Sequence, residues 1–287
     1  MFAVLVLLCG CERVIYENEL SESDPSGNVR LRVSDFEAMN GDVRSVQSVT
    51  AVCSRLHFVV YKNGAQVKAI TQKSDEPLFG EVTMSLTPDT YQLLILAHSG
   101  LGNPSLSNPA KIAFTNASAT NGTGFTDTFY YYGDLTVSEE DNVQESFMLK
   151  RAVAMFRLTT TDVKPAEVRK LHIIYKGGSG TFDATTGYGC VNSTQVDFID
   201  TDSSLDGQPI QISLYSFLHA ETDEMQFTIR ALDSKEAELY FREFTNVPMK
   251  RNTITEYCGA FFGGTPIGGK YTFQVETDWE ETNVYNF

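Results

Sequence analysis

From Val29 onward, apolar and polar residues alternate with a period of two, the pattern of strands that bury one face. Val29, Leu31 and Val33 interleave with Arg30 and Arg32. The run Val49 to Tyr61 (VTAVCSRLHFVVY) leads into Lys62-Asn63-Gly64, a turn signal after which Ala65 to Thr71 returns as the second strand of a hairpin. Further strands are predicted at Glu81 to Leu86, Tyr91 to Ala97 and Thr128 to Tyr132. In the second half, Glu145 to Thr160 (ESFMLKRAVAMFRLTT) reads as one long strand, the strongest run in the chain. Lys164 to Lys170 offers one helical turn after Pro165. Strands follow at Leu171 to Tyr175, Ile210 to Phe217, Met225 to Leu232, Ala237 to Phe244, Thr253 to Phe262 and Tyr271 to Glu276. Many short strands with almost no helical period predict an all-β fold built of β-sandwiches.

The 287 residues suit two domains. Because a single run crosses residues 145–160, the boundary is placed just before it: an N-terminal β-sandwich over 29–144 and a C-terminal one over 145–287. Two stretches interrupt the strands. Ser99 to Gly124 is rich in Gly, Asn, Ser, Thr and Pro, with one apolar island at Ile112 to Phe114. It reads as a long surface excursion, the kind of segment that often carries binding. Lys176 to Gly189, with five Gly, reads as loop.

Composition and charge narrow the function. Hydrophobic residues are 42% and charged residues 21%, ordinary globular material. Asp and Glu number 37 against 22 Lys and Arg, for a net charge of -15. Such a surface repels a polyanion, so nucleic acid is not an expected partner. His57, His98, His172 and His219 are scattered and never at metal-ligand spacing. No metal, cofactor or catalysis is expected.

Individual constellations point the same way. His98 adjoins Ser99, and neighbours on a strand face opposite sides, the wrong geometry for a base and its nucleophile. Gly177-Gly178-Ser179-Gly180 lacks the G-x-S-x-G frame and the following Lys-Ser/Thr helix of a phosphate loop, and reads as a glycine-rich turn. Asp197, Asp200, Asp202 and Asp206 are dense in carboxylates. A calcium loop counted from Asp197 would need Gly and Glu where Asp202 and Gln208 stand; counted from Asp200, it meets Leu205 and Gln211. A solvated acidic loop is expected instead. Cys53, Cys190 and Cys258 are widely spaced with no C-x-x-C and read as buried free thiols, one disulfide with a spare being the alternative in an exported protein. The acceptor patterns at Asn116, Asn121 and Asn192 read as chance. Alternation turns two of the rings among Phe129, Tyr130, Tyr131 and Tyr132 outward. Tyr130, Tyr131 and Tyr132 are therefore candidates for a platform binding a host or bacterial surface glycan, although edge-strand packing explains them equally well.

The N-terminus adds an address. Met1 to Leu8 (MFAVLVLL) is too short to span a bilayer, which takes about 20 helical residues, and suits a signal peptide over residues 1–10. It lacks the Lys or Arg such a segment ordinarily carries, the first being Arg13. Leu8-Cys9-Gly10-Cys11 resembles the lipobox of bacterial lipoproteins. That resemblance implies cleavage before Cys11 and a diacylglycerol on its sulfur, usually with a further acyl chain on its amine. Two or more chains anchor stably where one does not. Residues 11–28 would hold the lipidated Cys11 and a polar tether, Glu17 to Asn28 (ENELSESDPSGN).

Four features together resemble the lipoprotein anchors and minor subunits of Bacteroidales-type fimbriae, the FimB/Mfa-type family of the fimbrillin superfamily. They are the lipobox at Cys11; Pro88-Asp89-Thr90-Tyr91 leading into Gln92 to Ala97, with Asp89 in place of the family's Gly; Leu149 to Leu158 (LKRAVAMFRL); and Val247-Pro248-Met249-Lys250-Arg251-Asn252. The resemblance implies two tandem transthyretin-like β-sandwich domains, no catalysis, an outer-membrane lipid anchor and assembly with other fimbrial subunits by β-strand exchange. In shaft subunits of that family a protease removes the first strand and a neighbour's terminal strand fills the groove. An anchor is expected to keep its own first strand, here Val29 to Val33, and to offer its C-terminal segment. Tyr271, Phe273 and Val275 alternate and are the candidate donor side chains, although a last core strand with a frayed end fits equally. A trypsin-like cut at Arg44 would make the chain a shaft or tip subunit. The rival readings are a stand-alone cell-surface adhesin or glycan-binding lipoprotein and, more remotely, a hydrolase on a β scaffold.

Overall fold

The computed structural model describes residues 23–37, 48–115, 124–140, 142–263, 271–274 and 282–286. The first half comprises β1 (Val29–Phe36), α1 (Val49–Val52), β2 (Arg55–Lys62), β3 (Ala65–Lys73), β4 (Glu81–Met84), β5 (Asp89–His98), β6 (Ile112–Ala113), β7 (Phe129–Val137) and β8 (Val143–Arg151). The second comprises β9 (Ala154–Thr160), β10 (Lys170–Lys176), β11 (Thr181–Asp183), β12 (Tyr188–Gly189), β13 (Gln195–Asp200), β14 (Gln211–Ser216), β15 (Thr222–Leu232), β16 (Glu238–Lys250), β17 (Ile254–Gly259), β18 (Tyr271–Gln274) and β19 (Thr282–Asn286). The protein is an all-β sandwich fold, as its alternation predicts. No helix among the described residues is long and apolar enough to cross a membrane.

In the first half, seven strands run in the order β3-β2-β5-β7-β8-β1-β4. Strands β7 and β8 pair only at Phe129 with Arg151 and Tyr130 with Lys150, so the sheet folds over there and its two arms face each other. Leu31, Val82 and Leu149 from one arm meet Phe58, Leu93 and Leu135 from the other in a single core. In the second half, β13-β10-β15-β16 faces β14-β9-β17-β19-β18 across Phe156, Ile173, Phe227 and Val247. Phe156 and Phe227 stack there at 4.0 Å.

Several local expectations are corrected. The strand expected over 145–160 is two strands, β8 and β9, divided at Ala152 and Val153 and lying in different sheets. The cause is visible in burial: residues 151 to 156 are buried without interruption, because the chain passes from one core to the next and no single face is outward. The strand expected from Val49 starts at Arg55, and Val49–Val52 forms a helical turn. Such a turn sets residues three apart on one side, which lets Val49 and Val52 both pack against the N-terminal core. Lys164 to Lys170 is not helical. The fully buried Lys164 is tied to residues 207 and 208 by backbone bonds and pairs its ammonium with Asp206.

The acidic stretch is a solvated loop only in its second part, where residues 202–205 are exposed. Asp197 and Asp200 belong to β13, the Tyr175 hydroxyl donates to Asp197 at 2.9 Å, Asp202 caps the amide of Ser204, and Asp206 holds both Lys164 and Arg169. No metal-binding group of three carboxylate, thiol or imidazole side chains occurs among the described residues. All three cysteines of this region are free, but only Cys53 is fully buried, with its thiol pushed up to about 12 by burial. Cys190 is exposed, contrary to expectation, because β12 ends just before it at the surface. The glycine-rich turn is as read, and tight: a Cβ on Gly177, whose φ is +95°, would sit 2.5 Å from the Glu224 carbonyl oxygen.

Candidate functional site

Strand addition needs an edge and a strand to give, so the sheet borders come first. Strand β1 is internal. It runs antiparallel to β4 and parallel to β8, and sends Val29, Leu31, Val33 and Phe36 into the core while Arg30 and Arg32 face solvent. The second half repeats the arrangement: β9 lies antiparallel to β14 and parallel to β17. In each half the first strand is thus clamped between two others. The halves differ at the far side of the parallel partner. Strand β19 pairs parallel with β17, and β18 turns back antiparallel on β19 as the outermost strand. Among the candidate donor residues, Tyr271 is opposite Tyr285 and Phe273 opposite Asn283 in that register. Val275 lies outside the described residues, as do Cys11, Arg44 and the signal segment.

The second feature is the junction between the halves, where two of the stretches singled out in the sequence meet. The Arg151 guanidinium, its side chain 6% exposed, grips the Asp127 carboxylate with Nε at 2.8 Å and Nη2 at 3.1 Å. Its Nη1 donates to Oδ1 of Asn252 at 2.6 Å, and its plane lies over the Phe129 ring at 4.6 Å. Asn252 adopts a φ of +57°, a left-handed conformation Asn tolerates, and its amide donates to the Val153 carbonyl at 2.9 Å. Arg251 donates to the Arg151 carbonyl at 3.1 Å and to Glu221. A buried cation therefore joins a segment of the first half to the β16–β17 turn of the second.

Around this clamp lies a third apolar cluster with contributions from both halves: Val59, Tyr61, Leu94 and Leu96 from β2 and β5, Ile112 and Phe114 from the excursion, and Phe182, Phe217 and Ile254 from the second half. Over its described part the excursion is exposed at Leu101, Asn103 and Lys111 but anchored at its apolar island. Its strand β6 pairs with β11 of the other half, the Phe114 amide donates to Gly180, and Phe114 packs on Phe217 at 4.9 Å. The region expected as loop over 176–189 supplies those partners as β11 and β12. Tyr130 packs edge-on against Phe182 at 4.8 Å and Tyr132 joins the same cluster, while Tyr131 packs on Phe147 on the opposite face. Each ring is half-buried.

One buried group escaped the sequence reading. His57 and His98, both 0% exposed, hydrogen-bond through their Nε2 atoms at 2.9 Å. Both are held well below the ordinary imidazole value by burial, with the Arg55 cation adding to it, and His98 falls to about 4.

Comparison with known proteins places this geometry. The model of a family of unknown function, DUF6562, matches residues 26–285. No curated protein matches the chain. Among solved structures, a candidate adhesin from Bacteroides ovatus superposes with a TM-score of 0.51 at 10% identity, covering 75% of each chain. A second candidate adhesin from B. ovatus gives 0.47 at 12% identity over 84% of this chain and 88% of its own. The fimbrial anchor protein Mfa2 from Porphyromonas gingivalis gives 0.41 at 11% identity over 76% and 82%. At such identities the first of these likenesses is one of fold. By the family model, which spans nearly the whole chain, the protein belongs to the family of unknown function DUF6562.

Proposed function

We propose that this chain is a non-enzymatic, lipid-anchored subunit of a cell-surface fimbrium, its anchor or a minor accessory component, held in the outer membrane through Cys11 and joined to other fimbrial subunits by β-strand addition. The observation that carries this reading is the C-terminal hairpin: β18 and β19 extend the five-stranded sheet from its edge, the position from which a terminal strand can be given to a neighbour at least cost to the core. The clamped position of β1 between β4 and β8 supports the anchor or accessory role, since such a subunit keeps its first strand. A surface role also agrees with the description of the B. ovatus protein that shares the fold. The division into two units is proposed to follow the two cores, with the crossing at Ala152 and Val153.

Metabolic labelling with an alkynyl fatty acid tests the anchor. The wild-type chain is expected to be labelled and to sediment with outer membrane, and Cys11→Ala to be unlabelled and released into the soluble fraction. Label on the Cys11→Ala chain, or none on the wild type, contradicts the reading.

A further inference from the structure

The imidazoles of His57 and His98 lie on the face of β2 and β5 that carries the junction cluster, at the root of the excursion. The hydrogen-bond network there fixes both tautomers. The Gly100 amide donates to Nδ1 of His98 at 3.0 Å, so that nitrogen is unprotonated and Nε2 of the neutral ring carries the hydrogen. His98 Nε2–H then donates to Nε2 of His57, and His57 Nδ1–H donates to the Thr71 hydroxyl at 2.8 Å. Every ring nitrogen is used. A proton added at His98 Nδ1 meets the Gly100 N–H; one added at His57 Nε2 meets the His98 N–H. Neither ring can become a cation without breaking the chain of bonds.

The surroundings give a cation no help. From β2 comes the Arg55 guanidinium, directly opposite His98 in register and repulsive to both rings. From β3 come Thr71 and, opposite Arg55, Lys73. The excursion contributes Gly100 and the Phe114 ring, edge-on to His98 at 5.9 Å. The segment before β7 contributes Thr126, which binds the Ser99 amide, with Asp127 engaged by Arg151. Arg55 itself holds the carbonyls of Gly100 and Leu101. The same few residues therefore fasten the start of the excursion whose far end, β6 and Phe114, is built into the other half.

We propose that the His57–His98 pair is an acid-sensitive latch, fastening the Ser99–Thr115 excursion and with it the junction at neutral pH and releasing them on acidification. The sign follows from proton linkage. Closed, the imidazoles sit below their ordinary value; open, they regain it, near 6.5. The open state thus binds more protons, and closure weakens as pH falls from about 6.5 through about 4, where His98 titrates in the closed form. With both rings protonated only when open, the opening equilibrium constant rises on the order of 1000-fold between pH 7.5 and pH 5.

Hydrogen exchange of the full chain, read by mass spectrometry and corrected for the intrinsic pH dependence of exchange, tests this. Amides of residues 99–115 and 181–184 are expected to lose protection at pH 5 while those of β10 and β15 keep theirs. A His57→Gln/His98→Asn chain, which keeps hydrogen-bonding groups but cannot titrate, is expected to hold the excursion closed at pH 5. The change His172→Gln, at a half-buried histidine of β10 away from the junction, is expected to leave the response intact. Equal protection of the wild type at both pH values overturns the latch, and this arm does not depend on the double variant folding. Loss of protection throughout the molecule, a response that survives in the double variant, or one abolished by His172→Gln overturns it as well.

Discussion

Leu31→Asp is expected to unfold the N-terminal sandwich. Leu31 is 0% exposed at the middle of β1, paired with Val82 on one side and Glu145 on the other. Truncating a core leucine costs roughly 2–5 kcal/mol, and the new carboxylate adds the penalty of burying a charge without a partner. A total of at least about 5 kcal/mol is comparable with the whole stability of an ordinary domain. Because β1 separates β4 from β8, its loss also frees two lines of backbone donors and acceptors for intermolecular pairing. The outward neighbour makes the control: Arg30→Gln removes only an exposed ion pair with Glu81, a change of less than about 1 kcal/mol. Urea denaturation followed by circular dichroism reads both. A Leu31→Asp chain with wild-type stability would mean that β1 is not the clamped strand described here.

The second large effect is expected at Arg151→Ala. It strands the Asp127 carboxylate and the Asn252 amide that the guanidinium serves and strips the cation from the Phe129 ring. Breaking a buried ion pair on one side costs about 3–5 kcal/mol; Asp127, its side chain 27% exposed, can recover some hydration, so about 3 kcal/mol is expected. Arg151→Lys is expected to restore little, since an ammonium cannot grip both carboxylate oxygens and reach Asn252 at once. The loss also has a form that a simple core defect lacks. The clamp joins the halves, so calorimetry is expected to show the wild type unfolding in one transition and Arg151→Ala in two. A single transition at the wild-type temperature would contradict the role given to the clamp.

The sequence carried the strands but not their neighbours. Alternation in β1 is plain because one face is solvated. In β2 and β5 it is absent: Leu56, Phe58, Leu93 and Ile95 enter the N-terminal core while Val59, Tyr61, Leu94 and Leu96 enter the junction. A strand buried on both faces reads as a continuous apolar run, so LHFVVY and LLILAH signalled a covered second face. What covers it was not legible. The excursion is locally polar, and its partner β11 lies far along the chain, a long-range pairing that no local pattern specifies. The same holds at Arg151 and Asn252, each inside a recognisable stretch but joined only by the fold. Alternation sets Tyr130 and Tyr132 on the face opposite Phe129, which is correct for their own sheet and silent about the second half packed against it. Spacing along the chain separates the histidines, although β2 and β5 bring His57 and His98 together as adjacent strands.

Under the proposed function, the chain joins a fimbrium by giving its C-terminal strands. Cross-linking of the tagged protein on its native cells, followed by mass spectrometry of membrane-extracted complexes, tests it most directly. Cross-links are expected from the segment 271–287 into the N-terminal sandwich of a fimbrial subunit. A monomer acylated at Cys11 with no fimbrial partner would contradict it.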